Sequence, residues 1–277
     1  MMFPKPQDLK SVSIVVPIYK PILTTEEKGS LRQLINVLGH YPVVFVTYKE
    51  LEVGEYLTIC GNRKVAFSYF DKHYFEGVWG YNTLLISKRF YTRFLSSEYI
   101  LIYQLDAWVF RDELMYWCSK NFDFIGAPLY EGFGKAAGSS HFYGIGNGGL
   151  SLRKVRSYLK VLNSFSFNRT FKELKEKNQI DKTTLKKHVE LLWNYLTKNN
   201  TFFLFNHYDY NEDTYWGELI PRKFKWFKVP DELTASLFSM EVNAPTLYKA
   251  NRNILPFGCH AWEKYHREFW EAFIQLN

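Results

Sequence analysis

Apolar positions along the chain fall into two periods. Residues 12–19, 43–48, 65–70 and 99–105 are β-branched or aromatic runs with few polar breaks. Such runs predict strands buried on both faces, the pattern of a central parallel sheet. Between the first two, Leu31, Leu34, Ile35 and Leu38 recur at helical spacing, opened by Thr24 with Glu27 three residues on and stopped by Gly39. This is a capping box and a helix, so the unit reads strand, helix, strand, with a parallel pair and a right-handed crossover. Residues 71–82, crowded with His73, Tyr74, Trp79 and Tyr81, read as a loop, and 87–95 as a short aromatic helix. Asp112 and Glu113 place acids in the first turn of another helix, which its dipole favours. A short strand is expected at 122–128. The expected fold is therefore α/β, a single α/β/α domain of Rossmann type over residues 1–277 with a mostly parallel central sheet.

Residues 130–149 change character, with Gly132, Gly134, Gly138, Gly144, Gly146, Gly148 and Gly149. This stretch reads as a mobile loop ending in a tight Gly-Asn-Gly-Gly turn that lets a ligand approach the main chain. Order resumes at 150–153. Leu185, Val189, Leu192 and Leu196 then mark an amphipathic helix. Asn211-Glu212-Asp213 heads a further helix, and an aromatic helix closes the chain after Pro256-Phe257-Gly258-Cys259-His260-Ala261-Trp262.

Composition adds chemistry to this frame. Aromatics are 19% of the chain, with 20 Tyr and 8 Trp, more than a core needs. Some should line a concave surface suited to sugars or nucleobases. Cys60, Cys118 and Cys259 have neither disulfide nor zinc spacing. Residues 1–10 lack an apolar signal core and no long uncharged apolar run follows, so a soluble, cytoplasmic protein is expected. The net charge of +7 is concentrated. Residues 153–198 hold 12 Lys/Arg against 4 Asp/Glu. Such a segment is either a solvated helical face or a patch drawn to anionic lipid headgroups at the inner face of the membrane. Nucleic-acid binding is disfavoured because no interleaved aromatic platform accompanies the charge.

Asp106 is the carboxylate that ends the apolar run at 99–105. Ligands of open α/β sheets bind beyond the carboxyl ends of the strands, so this acid faces either a site or the amides of its own loop. Glu212 and Asp213 are either N-terminal caps or a general base and its partner.

Three features taken together resemble glycosyltransferases of the GT-A fold: the opening strand Ile14-Val15-Val16-Pro17-Ile18-Tyr19; Leu105-Asp106-Ala107-Trp108-Val109-Phe110, similar to the Asp-x-Asp region; and Gly146-Asn147-Gly148-Gly149 followed by Glu212-Asp213-Thr214-Tyr215-Trp216-Gly217. Adding Tyr81-Asn82, Gln104 and the Pro256–Trp262 stretch, residues from about 60 to 265 resemble an uncharacterised family of bacterial glycosyltransferase-like domains. The resemblance implies transfer of a sugar from a nucleotide diphosphate-sugar to a glycan or lipid-linked acceptor, with inversion, in polysaccharide assembly.

It further implies Asp213 as base and Glu212 as its orienting partner. Pro17, Tyr19, Asp106, Ala107 and Trp108 are implied for the donor, and Asn147, Gly148, Gly149 and Trp216 for the acceptor side. Asp106 and His260 are the implied metal ligands. Ala107 and Trp108 stand where a second metal carboxylate is expected, which leaves dependence on Mn²⁺ or Mg²⁺ open. Without a metal, Lys20, Arg89 or Arg153 would neutralise the leaving diphosphate. A retaining transferase and a non-catalytic carbohydrate-binding protein are the alternatives.

Overall fold

The computed structural model describes residues 11–136, 140–167, 170–177, 185–206 and 211–276. The expectations for residues 1–10, for Gly138 and for parts of the basic segment lie outside these. Eleven strands are present among the described residues: β1 Val12–Pro17, β2 Val43–Thr47, β3 Val65–Tyr69, β4 Tyr99–Tyr103, β5 Ala107–Val109, β6 Phe124–Ile125, β7 Ala127–Tyr130, β8 Phe142–Gly146, β9 Leu150–Lys154, β10 Ser239–Met240 and β11 Gly258–His260.

The main sheet has the order β3-β2-β1-β4-β9-β6. Its first four strands are parallel, and β9 and β6 continue it antiparallel. The expected mostly parallel α/β sheet is what forms. Alternation along the strands feeds two cores. Ile14, Val16, Leu101 and Tyr103 meet Leu31, Leu34 and Leu38 of helix Thr25–Leu38 on one face. Val15, Ile100 and Ile102 meet Leu84, Leu85, Phe90 and Tyr158 on the other. The helix Thr25–Leu38 carries its capping box as expected, with Glu27 donating its amide to the Thr24 hydroxyl and the Thr24 amide donating to Glu27.

Two small sheets sit beside the main one. β5 pairs with β11, which places His260 opposite Ala107, and β10 runs parallel to β11. β7 and β8 form an antiparallel pair.

Two expectations need correction, those for 71–82 and for the glycine stretch. The strand expected to end at Asp106 is β4, beyond which residues 104–106 turn into β5, with the Ala107 amide donating to the Gln104 carbonyl (2.9 Å). Ser30 pins this turn from the core by donating to the Ala107 carbonyl at 2.6 Å. Much of 71–82 is not loop: Gly77–Ile86 is a helix, because Leu84, Leu85 and Ile86 reach the core at its far end. In the glycine stretch, residues 142–146 are strand β8, paired with β7. The expected amphipathic helix forms as Leu185–Lys198, and its apolar stripe faces outward: Leu185, Val189, Leu192 and Leu196 are all exposed.

Candidate functional site

A cavity of about 550 Å³ opens where the ends of β1, β4 and β11 meet the turn between β8 and β9 and the start of helix Glu212–Thr214. Of the residues singled out in the sequence, Pro17, Tyr19, Asp106, Asn147, Gly148, Gly149, Glu212, Asp213 and His260 all line it, as does Lys20. Ala107, Trp108, Trp216, Arg89 and Arg153 are not among its lining residues.

The reasons are physical. Trp108 packs in a satellite core against Trp262, and Ala107 lies in the main core, where Ser30 donates to its carbonyl. Trp216 is fully buried, its Nε1 donating to the Leu85 carbonyl (3.2 Å) and its ring 4.0 Å from that of Tyr158. It anchors a helix start instead of touching a ligand. Arg89 is on the surface, paired with Asp71.

His260 is the hub of one wall. Its Nε2 lies 3.1 Å from Asp106 Oδ1 and 3.2 Å from Gln104 Oε1, and its Nδ1 lies 3.3 Å from Glu241 Oε1. Burial works against charge on both His260 and Asp106 and is the largest single influence on each. The mutual attraction of the pair outweighs it. The Asp106 carboxyl is thus held below the usual carboxylate range and the imidazole well above its own, with Glu241 reinforcing the second effect.

A second wall carries the acids. Glu212, 2% exposed, spends both carboxylate oxygens on Arg153, which is wholly buried: Nη1 to Oε2 is 2.8 Å and Nη2 to Oε1 is 2.7 Å. Arg153 also donates to the Ser151 and Tyr91 hydroxyls. This forked pair is bidentate and charge-assisted, the strongest form such a contact takes. Asn82 fixes the segment from behind, its Oδ1 accepting the Glu212 amide at 3.3 Å. Asp213, next along, points toward the cavity. Its Oδ2 accepts the Asn147 amide at 2.8 Å and its Oδ1 the Thr214 amide at 2.8 Å. One backbone donor on each oxygen fixes the carboxylate and leaves lone pairs free on both.

The two walls meet at Asn147-Gly148-Gly149. Asn147 adopts φ 71°, a left-handed conformation that Asn tolerates, and its side chain turns inward to Ser239 and the Leu150 amide. A Cβ on Gly148 would meet Glu212 Oε1 at 2.4 Å, and one on Gly149 would meet His260 Nε2 at 2.0 Å and Gln104 Oε1 at 2.7 Å. What approaches this bare main chain is the protein's own acid and imidazole, not only a ligand. Gly149→Ala is accordingly expected to displace His260 and cost about 1–3 kcal/mol of stability by overpacking. Urea unfolding checks this, and an unchanged midpoint would mean that the ring swings aside freely.

Gln104 was named in the sequence only as part of the resemblance, with no role, and Glu241 was missed. Gln104 stands two residues before Asp106, where an Asp-x-Asp motif read upstream has its first carboxylate. Glu241 had no local signal, since only the pairing of β10 with β11 brings it to His260. Lys264 and Tyr265 also line the cavity and were not anticipated.

The sequence profile of one family, described as protein of unknown function (DUF5672), matches residues 64–260. The chain belongs to that family. The match takes in most of the DUF5672 member's site, from Tyr81 and Asn82 to His260. Among curated proteins, none matches. Among solved structures, one similar to this chain is a glycosyltransferase involved in the glycosylation of the major capsid of PBCV-1. It shows 12% identity and a TM-score of 0.44 over 95% of this chain and 98% of that one. The galactosyltransferase LgtC, solved with donor and acceptor sugar analogs, gives 12% identity and 0.45 over 90% and 86%. Core-mannan synthase A from Aspergillus fumigatus, in a Mn/GDP form, gives 9% and 0.39, with 58% of this chain spanning 65% of that one.

Proposed function

We propose that this member of the DUF5672 family is a glycosyltransferase of GT-A type that moves a sugar from a nucleotide diphosphate-sugar to a glycan or lipid-linked acceptor with inversion. The observation that carries the reading is the shared cavity. One strand-end wall of Gln104, Asp106 and His260 suits a donor, and a fixed carboxylate, Asp213, suits an acceptor hydroxyl.

In the reaction, the acceptor hydroxyl loses its proton to Asp213 as its oxygen bonds to the anomeric carbon. The bond from that carbon to the diphosphate breaks, and its electron pair leaves with the nucleoside diphosphate. Glu212 is a positioning residue in this scheme, because Arg153 occupies both its oxygens. Lys20 and Lys264 are the cations that line the cavity and face the leaving group, in place of Arg89 and Arg153. Exposed Tyr19, at the end of β1, offers an aromatic face to the base.

Among the described residues no cluster of three or more His, Cys, Asp or Glu side chains could hold a metal. A mixed set does fit: Asp106 Oδ1 and Gln104 Oε1 both lie beside His260 Nε2, while Glu241 holds the far ring nitrogen, the carboxylate-histidine arrangement that orients metal-binding imidazoles. Asp106, Gln104 and His260 would hold Mn²⁺ or Mg²⁺, which when bound would offset the charge on the departing diphosphate.

A thermal-shift screen of nucleotide-sugars with and without Mn²⁺ tests the reading. A ligand at 100 times its Kd adds about 2.7 kcal/mol to apparent stability, so one donor class should raise Tm clearly. Asp106→Ala should abolish most of that shift, read against its own unliganded Tm, which loss of the pair with His260 lowers. If no nucleotide-sugar raises Tm and none is turned over while free glycans bind, the protein is a carbohydrate-binding one. A product of retained anomeric configuration by NMR would replace inversion with retention.

A further inference from the structure

We infer that the helix Leu185–Lys198 is a membrane-docking element that lays its apolar face into the headgroup region of an anionic bilayer. In a helix that packs on a globular body the apolar stripe faces inward. Here the arrangement is inverted. Leu185, Val189, Leu192, Trp193 and Leu196 are between 48 and 82% exposed. At helical spacing they share an arc about 100° wide. The buried position, Leu191, falls on roughly the opposite side. Tyr195 turns back to the protein, stacked on Phe167 at 4.6 Å and meeting Phe171 edge-on. Phe165, exposed beside Phe167, extends the apolar surface toward the end of helix Val155–Leu162.

Charge selects the occupant. Lys186 borders the apolar arc, while Lys187 and Lys198 fall on its far side, about 170° from its centre; all three are exposed, against one acid on the helix, Glu190. Helix Phe171–Lys177, which packs against this one, carries Lys172 and Lys175 together with Glu173 and Glu176. Over residues 153–198 Lys and Arg outnumber Asp and Glu by 12 to 4, so a second copy of the chain docking through the same patch would be isologous and would set this cation-rich segment against itself. An anionic lipid surface meets both features at once, since acyl chains take Leu and Trp, headgroups take Lys186, whose stem reaches upward from the apolar boundary, and the segment's excess positive charge is drawn to the surface. At about 1.5 Å per residue the helix is about 21 Å long and lies in the plane of the interface. No helix among the described residues is long and apolar enough to cross a membrane.

The test is co-sedimentation of the full chain with vesicles of phosphatidylcholine alone and of phosphatidylcholine with an equal share of phosphatidylglycerol. It uses no donor and reads no turnover, so it stands or falls apart from the transferase reading. Wild type should partition onto the mixed vesicles and not the neutral ones, with binding reduced by added salt. Lys186→Ala should weaken partitioning about fivefold. Leu192→Ser with Trp193→Ser should abolish it. All three positions are exposed, so Tm should hold in both variants. Equal binding to both vesicle types, undiminished binding by the Leu192/Trp193 variant, or a wild-type dimer that this variant dissociates would each overturn the inference, the last by assigning the face to a second copy.

Discussion

An Arg153→Met variant is expected to lose about 3–5 kcal/mol of folding stability, read as a lowered urea midpoint at neutral pH. The cause is what remains behind. Glu212 would keep its buried position with no cation to share its charge, and an uncompensated buried carboxylate is among the costliest single defects a core can carry. Burial already pushes the Glu212 carboxyl up, with Arg153 opposing. With Arg153 gone, the folded-state value rises further above that of the unfolded chain, so the variant's deficit should shrink as pH falls and Glu212 takes a proton. Arg153→Met combined with Glu212→Leu should recover much of the loss, because removing both partners leaves no orphaned charge. A single variant as stable as wild type would show that the pair contributes nothing beyond packing.

For Asp213→Asn the larger expected loss is in chemistry. The amide keeps the size of the side chain and an oxygen for the Asn147 amide and gives up the bond accepted from the Thr214 amide, a cost of about 1 kcal/mol, and it takes no proton from an acceptor hydroxyl. Turnover should fall about 10²–10⁴-fold with donor affinity unchanged, the usual contribution of a positioned base. Measuring kcat against donor Kd by titration separates the roles. A loss confined to Kd would make Asp213 a binding residue, and unchanged kcat would remove it from the reaction.

The parts of this fold that were legible in the sequence are those governed by local chemistry. The capping box at Thr24 and Glu27 and the apolar strands β1, β2 and β4 follow from side chains that are near neighbours in sequence. The candidate site was legible as a set of positions, in that ten residues given a role in the sequence line one cavity. Their division of labour was not. Whether Glu212 faces a ligand or a cation depends on Arg153, 59 residues away, and whether Trp216 is a wall or an anchor depends on Leu85 and Tyr158. The missing metal carboxylate has a similar answer. Gln104 occupies the upstream position beside Asp106, a place identified only when the turn shows both side chains beside one imidazole. Periodicity likewise predicted an apolar helix face at 185–196 but carries no information on which side the body lies.

The turn Asn147-Gly148-Gly149 has a consequence for the order in which the molecule assembles. The hydrogen bond from Asn147 to Asp213 closes a span of 66 residues, and the contact between Gln104 and His260 closes one of 156. The parallel strands β1 and β2, by contrast, are joined through a single short helix. Long closures are entropically dearer and are made once shorter ones have shaped the chain. A chain in which β1 and β2 have paired therefore still lacks its cavity, and the cavity is complete only when the last third of the sequence has docked on the part before it. Occupancy of the cavity is in this sense a report on the whole chain, since a ligand that needs both walls recognises only the finished fold.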